Sequence, residues 1–349
     1  MSNRRVFYAC EAVLLTPQKY IEASRSWTAQ PSKKPLGVQS VGMTTNFNLE
    51  KIFTLGQLAQ YDSIENNPEV EVTINKIFDG TLPLYLACIG GGDTQGSLIQ
   101  FANNRVDLEF GIYQDTVEIA AQVSGVSSMR STGMYLQSVN FTFPTDGNAT
   151  EDVTLVGTNR EWLATPTFGF TQEKTAPAVV RRWKFDLDSC ELPTGDGGME
   201  VGAPLTNVTV SADFNREAIY TLGSYEVYDR PITFPVEVNT EIESLAIAGD
   251  GIPLTEAAYS CAGSESTSVK NKSIKFVICG KNPGDSFSID LGKKNKLTSV
   301  SYGGGEAGGG NLTITYSFTT DNVLTVAANG SFSSDNGCTL DDNGDKVCS

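Results

Sequence analysis

The sequence predicts a mainly β protein made of two tandem, similar β-rich domains, each with one or two short helices. Two observations lead to this prediction. Residues 47–56 (FNLEKIFTLG) recur as residues 214–223 (FNREAIYTLG), identical at seven of ten positions and offset by 167 residues. Much of the remaining chain alternates apolar and polar residues in short runs, which is typical of strands with one buried face. A repeat at a fixed offset indicates duplicated structural units.

Further matches lie at nearly the same offset. Val41 matches Val208, the Tyr-Asp pair at 61–62 recurs at 228–229, and two apolar patterns recur, 70–72 at 236–238 and 108–112 at 274–278. The length of 349 residues also favours about two domains. The predicted division of the chain is a first domain at residues 1–163, a linker at 164–178, a second domain at 179–328 and a C-terminal tail at 329–349.

The apolar periodicity predicts the elements in order. The repeated block has Ile, Phe and Leu at helical spacing after an Asn that can cap a helix. It therefore predicts a short helix in each half that ends at Gly56 or Gly223. A further short helix is expected at residues 97–104, and Pro235 suggests a strand start, an edge or a bulge. The predicted strands are 5–15, 37–45, 69–77, 106–113, 116–123, 134–143, 151–156, 179–187, 232–242, 272–279, 286–291, 297–302, 311–318 and 323–328.

The charge and the missing histidine restrict the function. A formal net charge of −16 disfavours binding of nucleic acid through phosphate neutralisation, which needs basic patches. The charge either serves solubility or provides a surface that does not retain a passing polyanion. The chain contains no histidine, which removes Ser-His-Asp and Cys-His catalysis and the commonest metal ligand. We therefore expect a protein that is not an enzyme, with no catalytic, cofactor-binding or metal site.

Seven cysteines are present and none forms a CxxC pair, which disfavours a zinc ribbon. Cys338 and Cys348 bracket a polar loop, and they either close a small disulfide loop or remain two free thiols. The pairs Cys10/Cys190 and Cys88/Cys261 fall at roughly corresponding points of the two halves, which indicates core positions. No run of about 18 apolar residues occurs, so no membrane insertion is expected. The N-terminal segment is interpreted as a strand of the fold and not as a signal peptide.

Other candidate sites have simpler structural interpretations. The glycine-rich stretch 303–310 lacks the Gly-Lys-Ser/Thr of a phosphate-binding loop and is predicted to be a hairpin loop. The acidic stretch 341–345 lacks the spacing of a calcium loop. The basic cluster 293–296 is predicted to be an exposed turn. The carboxylates Glu69/Glu71 and Glu237/Glu241 alternate on strands and should share a solvated face, not form a catalytic pair.

Two regions resemble the tail tube proteins of tailed bacteriophages. The first runs from residues 37–41 into the repeated block and on through 61–72. The second comprises residues 214–217, 222–223, Tyr228 and 234–238. The resemblance covers residues 37–80 and 206–245 best and both halves more loosely. It involves structural motifs without a catalytic signature.

This resemblance implies two β-sandwich domains with a flanking helix, in a virion protein that self-associates into rings. A two-domain subunit implies homotrimeric rings with pseudo-sixfold symmetry, stacked through long loops and terminal arms into a tube that conducts DNA during ejection. The implied partners are other tail proteins (tape measure, sheath, baseplate and terminator) and passing DNA, which is not bound specifically. The implied location is the phage tail, assembled in the cytoplasm of the host bacterium.

Two alternatives remain open at this point. A baseplate, hub or tail-completion protein of the same fold differs in its copy number in the virion. A carbohydrate- or host-binding β-sandwich module would present an exposed aromatic platform, for which Tyr225, Tyr228 and Tyr259 are candidates. The recurrence of Tyr228 as Tyr61 favours a packing role for that residue.

Overall fold

The computed structural model is mainly β, as predicted, and all strand pairs that it describes are antiparallel. Two short α-helices lie in the first half, α1 (Leu84–Ile89) and α2 (Leu98–Phe101), and a 3₁₀ turn spans Arg182–Lys184 in the second. The structure describes residues 11–90, 95–101, 103–113, 125–168, 179–190, 192–193, 199–200, 204–224, 227–246, 272–280, 285–304, 311–330, 338–340 and 346–348.

The strands are numbered along the chain. In the first half they are β1 (Glu11–Ile21), β2 (Ser26–Ala29), β3 (Val38–Asn46), β4 (Leu49–Ile52), β5 (Asp62–Glu65), β6 (Glu69–Ile77), β7 (Gln95–Ser97), β8 (Arg105–Tyr113), β9 (Gly125–Pro144), β10 (Thr150–Gly157) and β11 (Glu161–Leu163). In the second half they are β12 (Phe185–Cys190), β13 (Leu192–Pro193), β14 (Met199–Glu200), β15 (Leu205–Asp213), β16 (Ile219–Tyr220), β17 (Val227–Asp229), β18 (Glu237–Leu245), β19 (Ile274–Cys279), β20 (Ser286–Asp290), β21 (Lys296–Gly303), β22 (Thr313–Asp321), β23 (Thr325–Asn329), β24 (Cys338–Leu340) and β25 (Lys346–Cys348).

One large sheet crosses both halves of the chain. Its central strand is β9, whose C-terminal part lies in an eight-strand row with the order β3-β6-β10-β9-β15-β18-β22-β21. The N-terminal part of β9 continues into β8, β1 and β2. Because β9 is 20 residues long, it has room for two successive neighbours on each side. The eight-strand row is called the main sheet below.

A second sheet, with the order β12-β19-β20-β23-β7, covers one face of the main sheet. Phe287 of β20 lies 5.0 Å from Phe78 and 6.1 Å from Phe141 of β9, measured between ring centroids. The facing positions of the main sheet are buried and mostly apolar, as Val70, Val72 and Ile74 of β6 show. Two sheets packed in this way form a β-sandwich.

Helix α1 fills the core beside these sheets, and all six of its residues are buried. The sequence LYLACI is apolar all round, so it lacks the one-sided periodicity by which a surface helix is recognised. Gly90 ends the helix with a left-handed φ of 59°. A Cβ atom at this position would lie 2.7 Å from the Cβ atom of Pro17, so a larger residue does not fit.

The two halves share their core. Strand β7 of the first half pairs with β23 of the second, and the N–H of Leu98 donates to the carbonyl of Leu324 at 2.9 Å. The N–H of Val180 donates to the carbonyl of Phe78 at 2.7 Å, and one buried apolar cluster contains residues of both halves. The predicted domain boundary stays a prediction, because residues 169–178 of the linker lie outside the described residues.

Most of the predicted strands are present, with two corrections. Strand β6 has the predicted bounds, and the hairpins β9–β10 and β21–β22 were expected. The predicted strand at 179–187 begins later, because a 3₁₀ turn precedes β12, and the strand at 232–242 begins only at Glu237, after Pro235. The opening strand is β1, which extends beyond its predicted end, while residues 1–10 and the predicted strand at 116–123 lie outside the described residues.

Candidate functional site

The sequence repeat corresponds to two sets of four strands that share the same order and the same register. Strands β3, β6, β10 and the C-terminal part of β9 correspond to β15, β18, β22 and β21. Val41 pairs with Ile74 in the first set, and Val208 pairs with Ile242 in the second. The sequence match of Val70 with Val236 is therefore wrong by two residues. The ladder makes Val238 the counterpart of Val70, and the sheet face is unchanged because side chains alternate with a period of two.

The predicted helices in the repeated blocks are absent, and each block instead begins a hairpin arm. The first arm, residues 47–68, contains the β4–β5 pair, and the second arm, residues 214–236, contains the β16–β17 pair. Asn48 and Asn215 open the arms with left-handed φ values of 46° and 42°. The N–H of each donates to the side chain two residues earlier, Asn46 or Asp213. Asn tolerates the left-handed conformation better than most residues and can form a turn there. Asn48 and Asn215, which were predicted to cap helices, are therefore turn residues.

Both arms contain the same turn. The N–H of Gln57 donates to the carbonyl of Thr54 at 3.2 Å, and the N–H of Ser224 donates to that of Thr221 at 3.3 Å. The third turn residue is Gly56 or Gly223, with φ of 87° and 85°. A turn with positive φ at this position favours glycine. The repeated Thr-Leu-Gly therefore encodes a turn that leaves its leucine fully exposed.

Most of the exposed large apolar side chains in the described part of the chain lie on the two arms. Single exposed apolar residues are ordinary on a protein surface, but their concentration on the two arms makes the arms candidate contact surfaces. Tyr61 and Tyr228 are both exposed, so their recurrence does not reflect packing within the chain. The exposed apolar residues of the arms are Phe47, Leu49, Phe53, Leu55, Leu58, Tyr61, Ile64, Ile219, Tyr220, Leu222, Tyr228 and Phe234.

The second arm is anchored to β9 by an arginine that the first arm lacks. Arg216 Nε donates to the carbonyl of Leu136 at 2.6 Å, and its guanidinium carbon lies 4.8 Å from the ring centroid of Tyr135. Burial lowers the pKa of Arg216 to about 10. The counterpart of Arg216 is Leu49, which is 57% exposed. This mismatch between the two repeats predicts that the copies meet different neighbours at this position.

Tyr135 links Arg216 to Arg105 and Asp229. Its hydroxyl donates to Asp229 at 2.6 Å and accepts from Arg105 Nε at 2.6 Å. Burial and the Asp229 hydrogen bond raise the pKa of Tyr135 to about 12. A solvent-open cleft of about 550 Å³ lies beside it, between the bases of the two arms. Arg105 contacts Tyr135 and Asp229 there, and Arg230 contacts Glu69, so these side chains link the bases of the two arms across the cleft.

The face of the main sheet that the second sheet leaves uncovered is polar and acidic. Its outward positions are Ser, Thr, Asn, Asp and Glu over most of their length, and Lys296 is the one basic residue at these positions in the described strands. The predicted solvated face is confirmed for Glu71, Glu237 and Glu241, whereas Glu69 on the same face is half-buried and accepts from Arg230 Nη1 at 2.7 Å. The acidic residues on this face are Glu69, Glu71, Asp152, Asp213, Glu237, Glu241, Glu243 and Asp321.

The main sheet ends in two open edges. Within the described residues, β3 has a strand neighbour only on its β6 side, and β21 only on its β22 side. These strands are the counterparts of β15 and β9, which pair with each other where the two halves meet. The β9–β15 pairing is called the internal junction below. The β3 edge corresponds to its β15 side and the β21 edge to its β9 side. The two edges are therefore complementary, and together they are a second candidate contact surface.

A buried ionic cluster supports α1, and it was not predicted from the sequence. Lys76 Nζ donates to Asp79 Oδ1 at 2.7 Å and to Thr81 Oγ1 at 3.1 Å. Glu151 accepts the N–H groups of Leu84 and Tyr85, both at 2.7 Å, at the start of the helix. Burial, opposed by these hydrogen bonds and by the charge of Lys76, raises the pKa of Glu151 to about 7. The signal was available, since Lys76 continues the inward series of Val70, Val72 and Ile74.

The other predicted positions have different outcomes. The three lysines of the 293–296 cluster are exposed, as predicted, but Asn295 between them is buried, and Gly303 ends a hairpin strand. Cys88 is buried and Cys279 exposed. Cys338 lies directly opposite Cys348 in the β24–β25 pair, and their disulfide stays a prediction. Tyr225, Tyr259, Cys10, Cys261, residues 305–310 and the acidic stretch 341–345 lie outside the described residues.

Comparison with known proteins adds no assignment. No protein-family model matches the chain, and no curated protein is significantly similar to it. Among the described residues, no group of three or more acidic, cysteine or histidine side chains is placed to hold a metal ion. No helix in this part of the chain has the length and apolar character needed to cross a membrane.

Proposed function

We propose that this protein is a structural virion protein that forms the tail tube of a tailed bacteriophage. Its rings are homotrimers with pseudo-sixfold symmetry, and they stack into a tube that conducts DNA. The observation that carries the proposal is the β9–β15 junction, where two similar four-strand units join edge to edge. The same two kinds of edge have no second strand neighbour at β3 and β21 among the described residues.

Open edges of this kind favour assembly. An unpaired strand edge is a template for pairing with another chain, and closure into a ring removes it. The β3 and β21 edges are different surfaces, so their contact is head-to-tail, and such contacts generate rings when the rotation closes. The internal junction supplies the rotation between successive units. Six units, which means three chains, follow from the resemblance to tail tube proteins.

The size of the closed sheet suits a DNA conduit. Three copies of the eight-strand row, at about 4.8 Å per strand and a tilt of about 40°, give a backbone diameter of about 45–50 Å. The second sheet covers one face of the main sheet, so the polar, acidic face is the one available to line the lumen. Carboxylates repel phosphates, and neutral hydroxyls bind them only weakly where few basic residues are present, so DNA can slide past this face without specific binding.

The arms support stacking of the rings. Both arms leave the main sheet at equivalent positions, so a three-chain ring presents six of them in a regular array. Their exposed leucines and aromatic residues would be buried against the next ring. The further partners in this proposal are the tape measure, sheath, baseplate and terminator proteins, with assembly in the cytoplasm of the host bacterium.

Negative-stain microscopy and mass photometry of the purified chain test this proposal. Three-chain rings, or tubes with a continuous lumen, are expected as the protein concentration rises. Bilobed single particles at high concentration would contradict it, and glycan binding by such monomers would favour a host-binding module. If rings form but the virion contains only one or a few of them, the protein is instead a baseplate, hub or tail-completion component.

A further inference from the structure

The internal junction shows which residues face each other when two of the four-strand units join. In the β9–β15 ladder, Phe141 pairs with Val210, and Asn140 with Ser211. Phe141 and Val210 point inward and are fully buried. Beyond the ladder, the N–H of Phe214 donates to the carbonyl of Gln137 at 2.9 Å, and the Phe214 side chain is also completely buried.

The open edge β21 can be aligned with β9 through a shared irregularity. Gln137 is the extra residue of a bulge in the β9–β10 ladder, between Leu136 and Ser138. Thr298 is the extra residue of a bulge in the β21–β22 ladder, between Leu297 and Ser299. Bulges fix register, so Thr298 is the counterpart of Gln137. Tyr302 is then the counterpart of Phe141, and Ser301 that of Asn140.

The open edge β3 aligns with β15 through the arms. Asn48 and Asn215 share their left-handed conformation, so Phe47 is the counterpart of Phe214 and Met43 that of Val210. The counterparts at the open edges keep a large apolar character but are partly or largely exposed. Phe47 is 58% exposed and Tyr302 52%, whereas both of their counterparts are completely buried.

We infer that neighbouring chains join in the register of the internal junction, with β21 of one chain against β3 of the next. This inference rests on the proposed function. Tyr302 then faces Met43, Ser301 faces Thr44, and the N–H of Phe47 donates to the carbonyl of Thr298 of its neighbour. Phe47 is the buried anchor of the contact. The partner of each open edge is a second copy of this chain.

Cysteine cross-linking in assembled rings tests the register. Ser301 and Thr44 point to the outward face, so the double variant Ser301→Cys/Thr44→Cys changes little in the isolated chain. Directly opposed residues have Cα atoms about 4.5–5.5 Å apart, which permits a disulfide. The off-register control Ser301→Cys/Asn46→Cys places the thiols about two residues apart along the ladder, at a separation that disfavours a bond. The wild type and the single variants measure the background from native cysteines.

The expected result is a ladder of covalent dimers and trimers for the 301/44 pair, at least 10 times more abundant than for the 301/46 pair. Three-fold rings that cross-link only through the 301/46 pair, or through neither pair, would overturn the inferred register and leave the proposed function standing. Absence of rings from the wild-type protein overturns both. A cross-link confined within one chain, seen as a faster-migrating monomer, also contradicts the inference.

Discussion

Phe47 and Phe214 occupy the same position in the two repeats, but only Phe214 is buried. The difference follows from their neighbours. Phe214 extends the junction between β15 and β9 with its hydrogen bond to Gln137. Phe47 follows β3, which has no strand on that side in the described part of the chain. The same residue type is therefore a core residue at one junction and a surface residue at an open edge.

Alanine substitutions at Phe214 and Phe47 should distinguish the buried core residue from the residue at the open edge. Phe214→Ala is expected to lower the free energy of unfolding of the isolated chain by about 3–5 kcal/mol, because it empties a buried site. Phe47→Ala should change it by less than about 1 kcal/mol. Ring formation should respond to Phe47→Ala, with a dissociation constant raised about 10–100-fold, since burying a Phe side chain contributes about 1.5–3 kcal/mol.

Chemical denaturation of the monomer and mass photometry of the rings provide the two measurements. Trp183→Ala is the matched control, because Trp183 is an exposed aromatic residue outside both open edges. It should alter neither quantity. Rings of normal affinity in Phe47→Ala would show that this side chain does not anchor the contact.

The sequence predicted the fold class because most strands have one buried face, so that apolar and polar residues alternate along them. The alternation in β6 was sufficient to give its bounds, and the bulk of β9, β10, β21 and β22 followed from the same pattern. The arms were mispredicted because Ile52, Phe53 and Leu55 have helical spacing, yet no face of this segment is buried in the chain. Periodicity indicates a helix only where one face packs against a core.

The candidate surfaces were harder to predict than the strands. Pairing between β9 and β15 is a long-range contact, and the sequence contains no local signal for it. The repeat gave the correspondence of the two arms but placed Val70 two residues from its true counterpart. The ionic cluster of Lys76 and Glu151 was visible as a lysine at an inward position, but its partners come from distant parts of the chain.

Leu49→Arg should weaken the rings by introducing a charge at the junction. Its counterpart Arg216 lies over the Tyr135 ring, but the counterpart of Tyr135 in β21 is Lys296. In the inferred register the new guanidinium would approach Lys296 of the neighbouring chain, and like charges repel. We expect the ring dissociation constant to rise about 5–10-fold at low salt, with less effect at high salt.

Adding Lys296→Tyr to this variant should restore assembly, because it recreates the arginine–tyrosine contact of the internal junction. Such contacts contribute about 0.5–2 kcal/mol. Sedimentation analysis of the wild type, both single variants and the double variant measures the coupling. Lys296→Tyr alone is the control for loss of the lysine. Additive effects of the two substitutions would show that these positions do not meet.

The two arm leucines should matter for stacking and not for folding. Leu55 and Leu222 are fully exposed at equivalent turns. Leu55→Ser/Leu222→Ser is therefore expected to leave the unfolding free energy within about 0.5 kcal/mol of the wild type. Three-chain rings should persist, while the length of tubes in negative stain falls severalfold. The matched control is Ile99→Ser, at an exposed apolar residue outside the arms, and normal tube length in the leucine variant would argue against stacking through the arms.

Glu151 should make the stability of the isolated chain depend on pH between about 4.5 and 7. Burial raises its pKa in the folded chain from 4.5 to about 7. In this interval the folded chain retains a proton that the unfolded chain releases, so unfolding becomes more favourable as the pH rises. The stabilising contribution is complete below about pH 4.5 and is lost as the pH passes 7. A shift of this size corresponds to about 3 kcal/mol.

Glu151→Gln separates this effect from other titrations. The amide retains one acceptor oxygen for the Leu84 and Tyr85 N–H groups, so we expect a lower overall stability, by about 1–3 kcal/mol. The variant does not titrate at this position, and the difference between its unfolding free energy and that of the wild type should change steadily from pH 4.5 to 7. Glu71→Gln, on the solvated face, is the control. A pH-independent difference for Glu151→Gln would mean that the folded chain holds this carboxylate ionised, with Lys76 and the helix N–H groups compensating fully for its burial.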